Sequence, residues 1–124
     1  MVILCLEAQR KGMVINMTTN RYKIFVGLSD QDKRVQEYAT ERFNKIIQNI
    51  CKGYRVAFST SPLTGGYFYE DGEFTTENSI CVTLIGIDDA VADEIAKDAG
   101  AFFNQESVMV LKDEVECRFI SDKI

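Results

Sequence analysis

The residues best suited to chemistry lie together between Thr64 and Asn78, in TGGYFYEDGEFTTEN. Tyr67, Phe68 and Tyr69 follow the glycine pair Gly65-Gly66, and Glu70, Asp71, Glu73 and Glu77 come after them. Flat rings with a polar edge suit stacking on a planar ligand. Alternation along a strand sends Phe68 to one face and Tyr67 and Tyr69 to the other. The two glycines let a backbone or a ligand approach closely. The same features also describe an edge hairpin whose aromatic pairs only stabilise the sheet. The carboxylates, with Glu106 further along, offer an acid–base pair or read as solvated turn acids. An enzyme built on this chain would use Glu70, Glu106 or Tyr67 as acid or base.

Cations are few near these rings. Arg42, Lys45, Lys112 and Arg118 are the candidates to meet a phosphate, by charge or by the planar fork of a guanidinium. Arg118, between Cys117 and Phe119, faces a groove or pairs with a glutamate at the surface. Asn78 and Asn104 supply amides. Asn104 lies in FFNQES, which either satisfies the open end of a helix or reads the edge of a bound base.

Composition excludes several classes. Among 124 residues there is no histidine, so Ser-His and Cys-His nucleophilic sites are absent from the chain, along with the commonest metal ligand. The four cysteines, Cys5, Cys51, Cys81 and Cys117, form no C-x-x-C pair, which argues against a structural metal and for buried free thiols in the cytosol. No cofactor or metal is expected. A formal charge of −5 disfavours long nucleic acid, though not a small nucleotide. No apolar run approaches the ~20 residues of a membrane span.

These residues need elements to hold them. Arg21–Leu28 reads as a central strand, followed by a helix capped by Ser29 and running from Asp30 to Lys52 with an apolar stripe from Val35 to Ile50. Tyr54–Ser61 is a strand ended by Pro62, and Asp71-Gly72 turns the hairpin. Ile80–Ile87 is a second central strand. A thin alanine-rich helix follows from Asp88 to Phe103, then strands Ser107–Leu111 and Val115–Ile120. The expected class is α+β: a mainly antiparallel sheet with two amphipathic helices on one face, in a ferredoxin-like layout. Residues 1–20 form an N-terminal arm or extra strand, and 21–124 one ligand-binding domain.

The set YKIFVGLSD, GGYFYEDGEFTTEN, ICVTLIGI and AFFNQESV, in this order, resembles the phage anti-Thoeris proteins of the first described type. The resemblance implies a cytoplasmic, non-catalytic sponge that sequesters a cyclic ADP-ribose isomer made by a bacterial TIR-based defence system. It implies a homodimer or higher homo-oligomer with pockets at subunit interfaces, and in some members cyclic oligonucleotides as further ligands. The ligand contacts it suggests are Phe68, Asn78, Arg42 and Arg118; the residue types and spacing add Lys45, Gly65, Gly66, Tyr67 and Asn104 as candidate ligand contacts.

Overall fold

A computed structural model describes residues 14–121. Its elements are β1 (Val14–Gly27), α1 (Thr40–Gly53), β2 (Phe58–Phe68), β3 (Phe74–Ile85), α2 (Asp89–Phe102) and β4 (Met109–Ile120). The sheet runs β2-β3-β1-β4, antiparallel throughout. This is the ferredoxin-like α+β layout that the order of apolar runs implies. Residues 1–13 of the expected N-terminal arm lie outside the described residues.

The core follows the strand period. Tyr22, Ile24, Val26 and Leu28 alternate with the more accessible Arg21, Lys23, Phe25 and Gly27. Register places Ile80, Val82 and Leu84 of β3 opposite Val26, Ile24 and Tyr22. Phe43, Ile47 and Cys51 of α1 and Ala92, Ile95, Ala96 and Ala99 of α2 close over this face. Small alanines let α2 lie close to the sheet, and a Cβ at Gly100 would come within 2.9 Å of Val108. Asp88 caps α2 by accepting the Val91 N–H at 2.9 Å.

Several boundaries differ from expectation: β1 starts at Val14, inside the expected arm, not at Arg21; β2 starts at Phe58, not Tyr54; and β3 starts at Phe74, not Ile80. Three further differences have a clear physical cause. The first helix begins at Thr40, not Asp30, and its N-cap, Ala39, gives no side-chain hydrogen bond. The Asp30 carboxylate takes the N–H groups of Asp32 and Lys33 at 2.9 and 3.0 Å, and Arg34 sits at φ 57°. That local turn competes with the helix and breaks it. Pro62 does not end its strand: β2 continues to Phe68, because β2 is an edge strand and an edge tolerates a missing N–H. The polar Lys112-Asp113-Glu114 is no turn but the middle of β4, held along the whole of β1. Asp71-Gly72 does turn the hairpin, with Gly72 at φ 87° and its N–H donating to the Tyr69 carbonyl at 2.9 Å.

Candidate functional site

A cleft of about 530 Å³ opens on the sheet face away from the helices. That volume lies in the range of roughly 300–1,000 Å³ typical of small-molecule sites. Strand alternation builds it: Phe25 and Gly27 of β1, Glu77 and Ser79 of β3, Gly65 and Tyr67 of β2 and Met109 of β4 all point to one face. Gln31 from the β1–α1 loop, Tyr69 and Glu70 from the hairpin, and Gln105 and Glu106 from the α2–β4 junction complete it.

Its floor is defined by oxygen atoms. Glu77 Oε2 accepts the Ser29 N–H at 3.1 Å. Gln105 Nε2 donates to the Ser29 carbonyl at 2.6 Å, which directs its own carbonyl oxygen inward. Gly27 makes the arrangement fit, since a Cβ there would stand 2.5 Å from Glu77 Oε1 and 2.7 Å from Gln105 Oε1. Two acceptors thus converge above Gly27. Among the described residues Glu77 Oε1 has no hydrogen-bond donor, and Gln105 Oε1 has only Gln31 Nε2 at 3.5 Å. The pair is ready for a ligand that presents two donors.

The wall is aromatic. Tyr67 and Tyr69 meet edge to face, ring centres 5.2 Å apart. The Tyr67 hydroxyl is buried without a hydrogen-bond partner among the described residues. Burial, with the neighbouring Tyr69 hydroxyl, pushes its pKa up to about 12, so it is a donor at neutral pH. Glu70 and Glu106 stand exposed at the rim. Among the described residues, those lining the cleft include three glutamates and no lysine or arginine.

The sequence candidates divide accordingly. Gly65, Gly66, Tyr67 and Phe68 reach the cleft. Phe68 itself is well exposed and pairs with Phe74 at 5.1 Å, on the side that alternation assigns it. Asn78 faces away and bonds Gln36 and Thr64. Asn104, at φ 51°, ties Asp30 and Asp32 to the end of α2. Arg42 lies over the Tyr38 ring at 4.2 Å, Lys45 is exposed on α1, and Arg118 is exposed far along β4 opposite Asn16. None of these last five lines the cleft. Glu77, grouped by sequence with the solvated turn acids, is half-buried at the floor. Gln105 belongs to the FFNQES segment that the sequence offered as a reader of a base edge, whereas Gly27 and Gln31 carried no signal of their own, because only the β1–β3 register and the loop path bring them to the cleft.

No family model matches the chain, and no curated protein matches it in sequence. Solved structures do. A phage SAM lyase in complex with S-methyl-5'-thioadenosine is 25% identical, with TM-score 0.64, over 84% of this chain and 91% of that one. CutA from Synechococcus elongatus is 10% identical with TM-score 0.56 over 85% of each chain. The CPII protein of Thiomonas intermedia, bound to ADP, AMP and acetate, is 8% identical with TM-score 0.50 over 83% of this chain and 91% of that one. The last two establish the ferredoxin-like fold alone. The first agrees with the phage character that the sequence resemblance implies, and it overturns the expectation that the chain is no enzyme, since the protein it resembles is a lyase. A missing histidine removes one kind of catalyst only; carboxylates and a buried tyrosine remain. No helix among the described residues is long and apolar enough to cross a membrane.

Proposed function

We propose that the cleft binds S-adenosylmethionine and cleaves it as a lyase, releasing S-methyl-5'-thioadenosine. The observation that carries this reading is the acceptor pair over Gly27, Glu77 Oε1 and Gln105 Oε1, in a cleft whose lining, among the described residues, has carboxylates and no cations. A ribose presents two adjacent hydroxyls, which are the two donors the pair lacks. The tyrosine wall offers ring surface to the adenine. The sulfonium and ammonium of S-adenosylmethionine outnumber its one carboxylate, so Glu70, Glu77 and Glu106 attract it.

The chemistry asks little of the protein. The bond from sulfur to Cγ of the methionyl chain breaks, both electrons going to sulfur, and the thioether leaves neutral without needing a proton. A lyase adds no water, so the incoming electrons come from the substrate. A β-hydrogen of that chain is too weakly acidic for a carboxylate to remove, and Tyr67 stays protonated at neutral pH. The substrate's own carboxylate oxygen then attacks Cγ and closes a γ-lactone. The cleft's part is to hold the chain folded in this geometry and to exclude water.

The sequestration of a cyclic ADP-ribose isomer implied by the sequence resemblance shares the adenine and ribose but adds a pyrophosphate. Placing that beside three carboxylates is repulsive. We also take the chain to be a homo-oligomer: Leu63, Met109 and Leu111 are exposed on the sheet face that carries the cleft, and a second copy would cover them. Light scattering measures the copy number. Mass spectrometry after incubation with S-adenosylmethionine tests the activity. Equal amounts of S-methyl-5'-thioadenosine and lactone support it; substrate recovered intact under conditions of saturating binding, or no binding at all, overturns it.

A further inference from the structure

We propose that Arg34 is a positioning residue that fixes the distance between the acceptor pair and the aromatic wall of the cleft; the inference rests on that cleft being the substrate site. The loop from Ser29 to Val35 touches both subsites. At one end Ser29 grips Glu77 through its N–H and Gln105 through its carbonyl. At the other, the Arg34 guanidinium lies 3.7 Å from the centre of the Tyr69 ring, while Nη1 reaches Asp71 at 3.2 Å and Glu73 at 3.5 Å. Tyr69 in turn packs on Tyr67.

The loop between these grips is closed on itself. The Arg34 N–H donates to the Asp30 carbonyl at 2.7 Å, and the Asp30 N–H to the Val35 carbonyl at 2.9 Å. The Asp30 side chain takes two further N–H groups, and the Gln31 N–H is held by the Asn104 carbonyl at 3.2 Å. Such a loop is a stiff spacer. The hairpin tip, by contrast, leaves Phe68 and Phe74 exposed. Arg34 joins the two. It is also held at φ 57°, a backbone conformation that costs energy in a residue other than glycine or asparagine, and the surrounding contacts sustain it.

Its contacts are half-exposed, so their share of global stability is small. Their effect falls on where the rings stand relative to Glu77. The test uses the full chain with Arg34→Asn, which tolerates the same φ, Arg34→Lys, which keeps the charge but not the flat guanidinium, and the pair Asp71→Asn/Glu73→Gln. Melting temperature, KM and kcat for S-adenosylmethionine, and hydrogen exchange of the hairpin from 66 to 74 are measured on each. The expected result is a melting temperature within a few degrees of wild type, a KM raised roughly five- to tenfold in Arg34→Asn with partial rescue in Arg34→Lys, and faster hairpin exchange. Unchanged KM and unchanged exchange overturn the proposal. If wild type cleaves no S-adenosylmethionine, the functional reading fails, and the exchange data alone still decide whether Arg34 clamps the hairpin.

Discussion

Glu77 occupies the space that a side chain at Gly27 would need: its Oε1 stands 2.5 Å from where the Cβ would be. The two residues are neighbours through the β1–β3 register, in which Gly27 faces Ser79. A bare backbone on a central strand weakens the sheet, so its presence here is explained by the carboxylate and amide that lean over it.

Gly27→Ala should therefore separate binding from folding. The new methyl meets the far ends of two flexible side chains, Glu77 and Gln105, which swing away. Stability should change by less than about 1 kcal/mol, the range of a surface-like adjustment. Affinity for S-methyl-5'-thioadenosine should fall more than tenfold, about 1.4 kcal/mol, because both acceptors leave their positions. Titration calorimetry beside a denaturant melt checks this. Affinity held within twofold would remove the acceptor pair from the site.

Charge selection gives a second outcome. With Glu70, Glu77 and Glu106 and, among the described residues, no cation lining the cleft, adenosine and S-methyl-5'-thioadenosine should bind, and ADP should bind at least tenfold more weakly than adenosine. Added salt should narrow that gap by screening the rim carboxylates. Competition against S-methyl-5'-thioadenosine measures it. Equal competition by ADP would overturn selection by the cleft's carboxylates.

Arg118→Ala and Arg42→Ala serve as contrasts. Arg118 lies exposed on β4 opposite Asn16, and Arg42 is engaged with the Tyr38 ring. Each should leave the affinity for S-methyl-5'-thioadenosine within twofold. A larger loss in Arg118→Ala would mean that this strand reaches a site in the assembled protein.

How much of this was legible follows from which signals are local. Alternation in Tyr22–Val26, the continuous apolar run Ile80–Ile87, the Asp71-Gly72 turn and the alanine-rich composition of α2 are each written within a few residues, and the fold follows from them. The apolar stripe expected on α2 included Phe102, which is exposed, while Phe103 is buried. The aromatic wall was legible for the same reason, since Tyr67 and Tyr69 share a face by period alone. The floor was not. Glu77 reads like its neighbours Glu70 and Glu73 until register sets it beside Gly27, and Gln105 reads as a helix-end polar residue until Ser29 turns its amide. The false helix over Asp30–Ala39 arose because Val35 and Tyr38 extend the apolar period of α1, while the turn centred on Asp30 is built from hydrogen bonds that periodicity does not register.

Acid sensitivity offers a test of the packing beneath the site. The Tyr22 ring is buried in the core, and its hydroxyl donates to Asp89 at 2.6 Å, with Lys112 Nζ 2.9 Å from the same oxygen. The Tyr22 hydroxyl first, then Lys112, holds the Asp89 pKa below its ordinary 3.8. Asp113, bonded by Arg21, and Asp71, held by the Glu73 N–H and Arg34, are lowered in the same sense. A carboxylate lowered on folding contributes stability that is fully present above its unfolded pKa and is lost as pH falls through the folded value. The stability of the wild type should decline below pH 3.8 for these groups. The opposite limb belongs to Tyr54 and Tyr67: both are raised from 10 to about 12, so their contribution is present below 10 and fades as pH climbs toward 12. In Tyr22→Phe the Asp89 carboxylate loses its largest stabilising partner. The variant should be less stable than wild type at neutral pH, and the gap should shrink as both are taken below pH 3.8, where Asp89 protonates in either protein. Urea melts at stepped pH measure the gap, and a difference that stays constant down the acid limb would show that the Tyr22 hydroxyl acts through packing and not through the charge of Asp89.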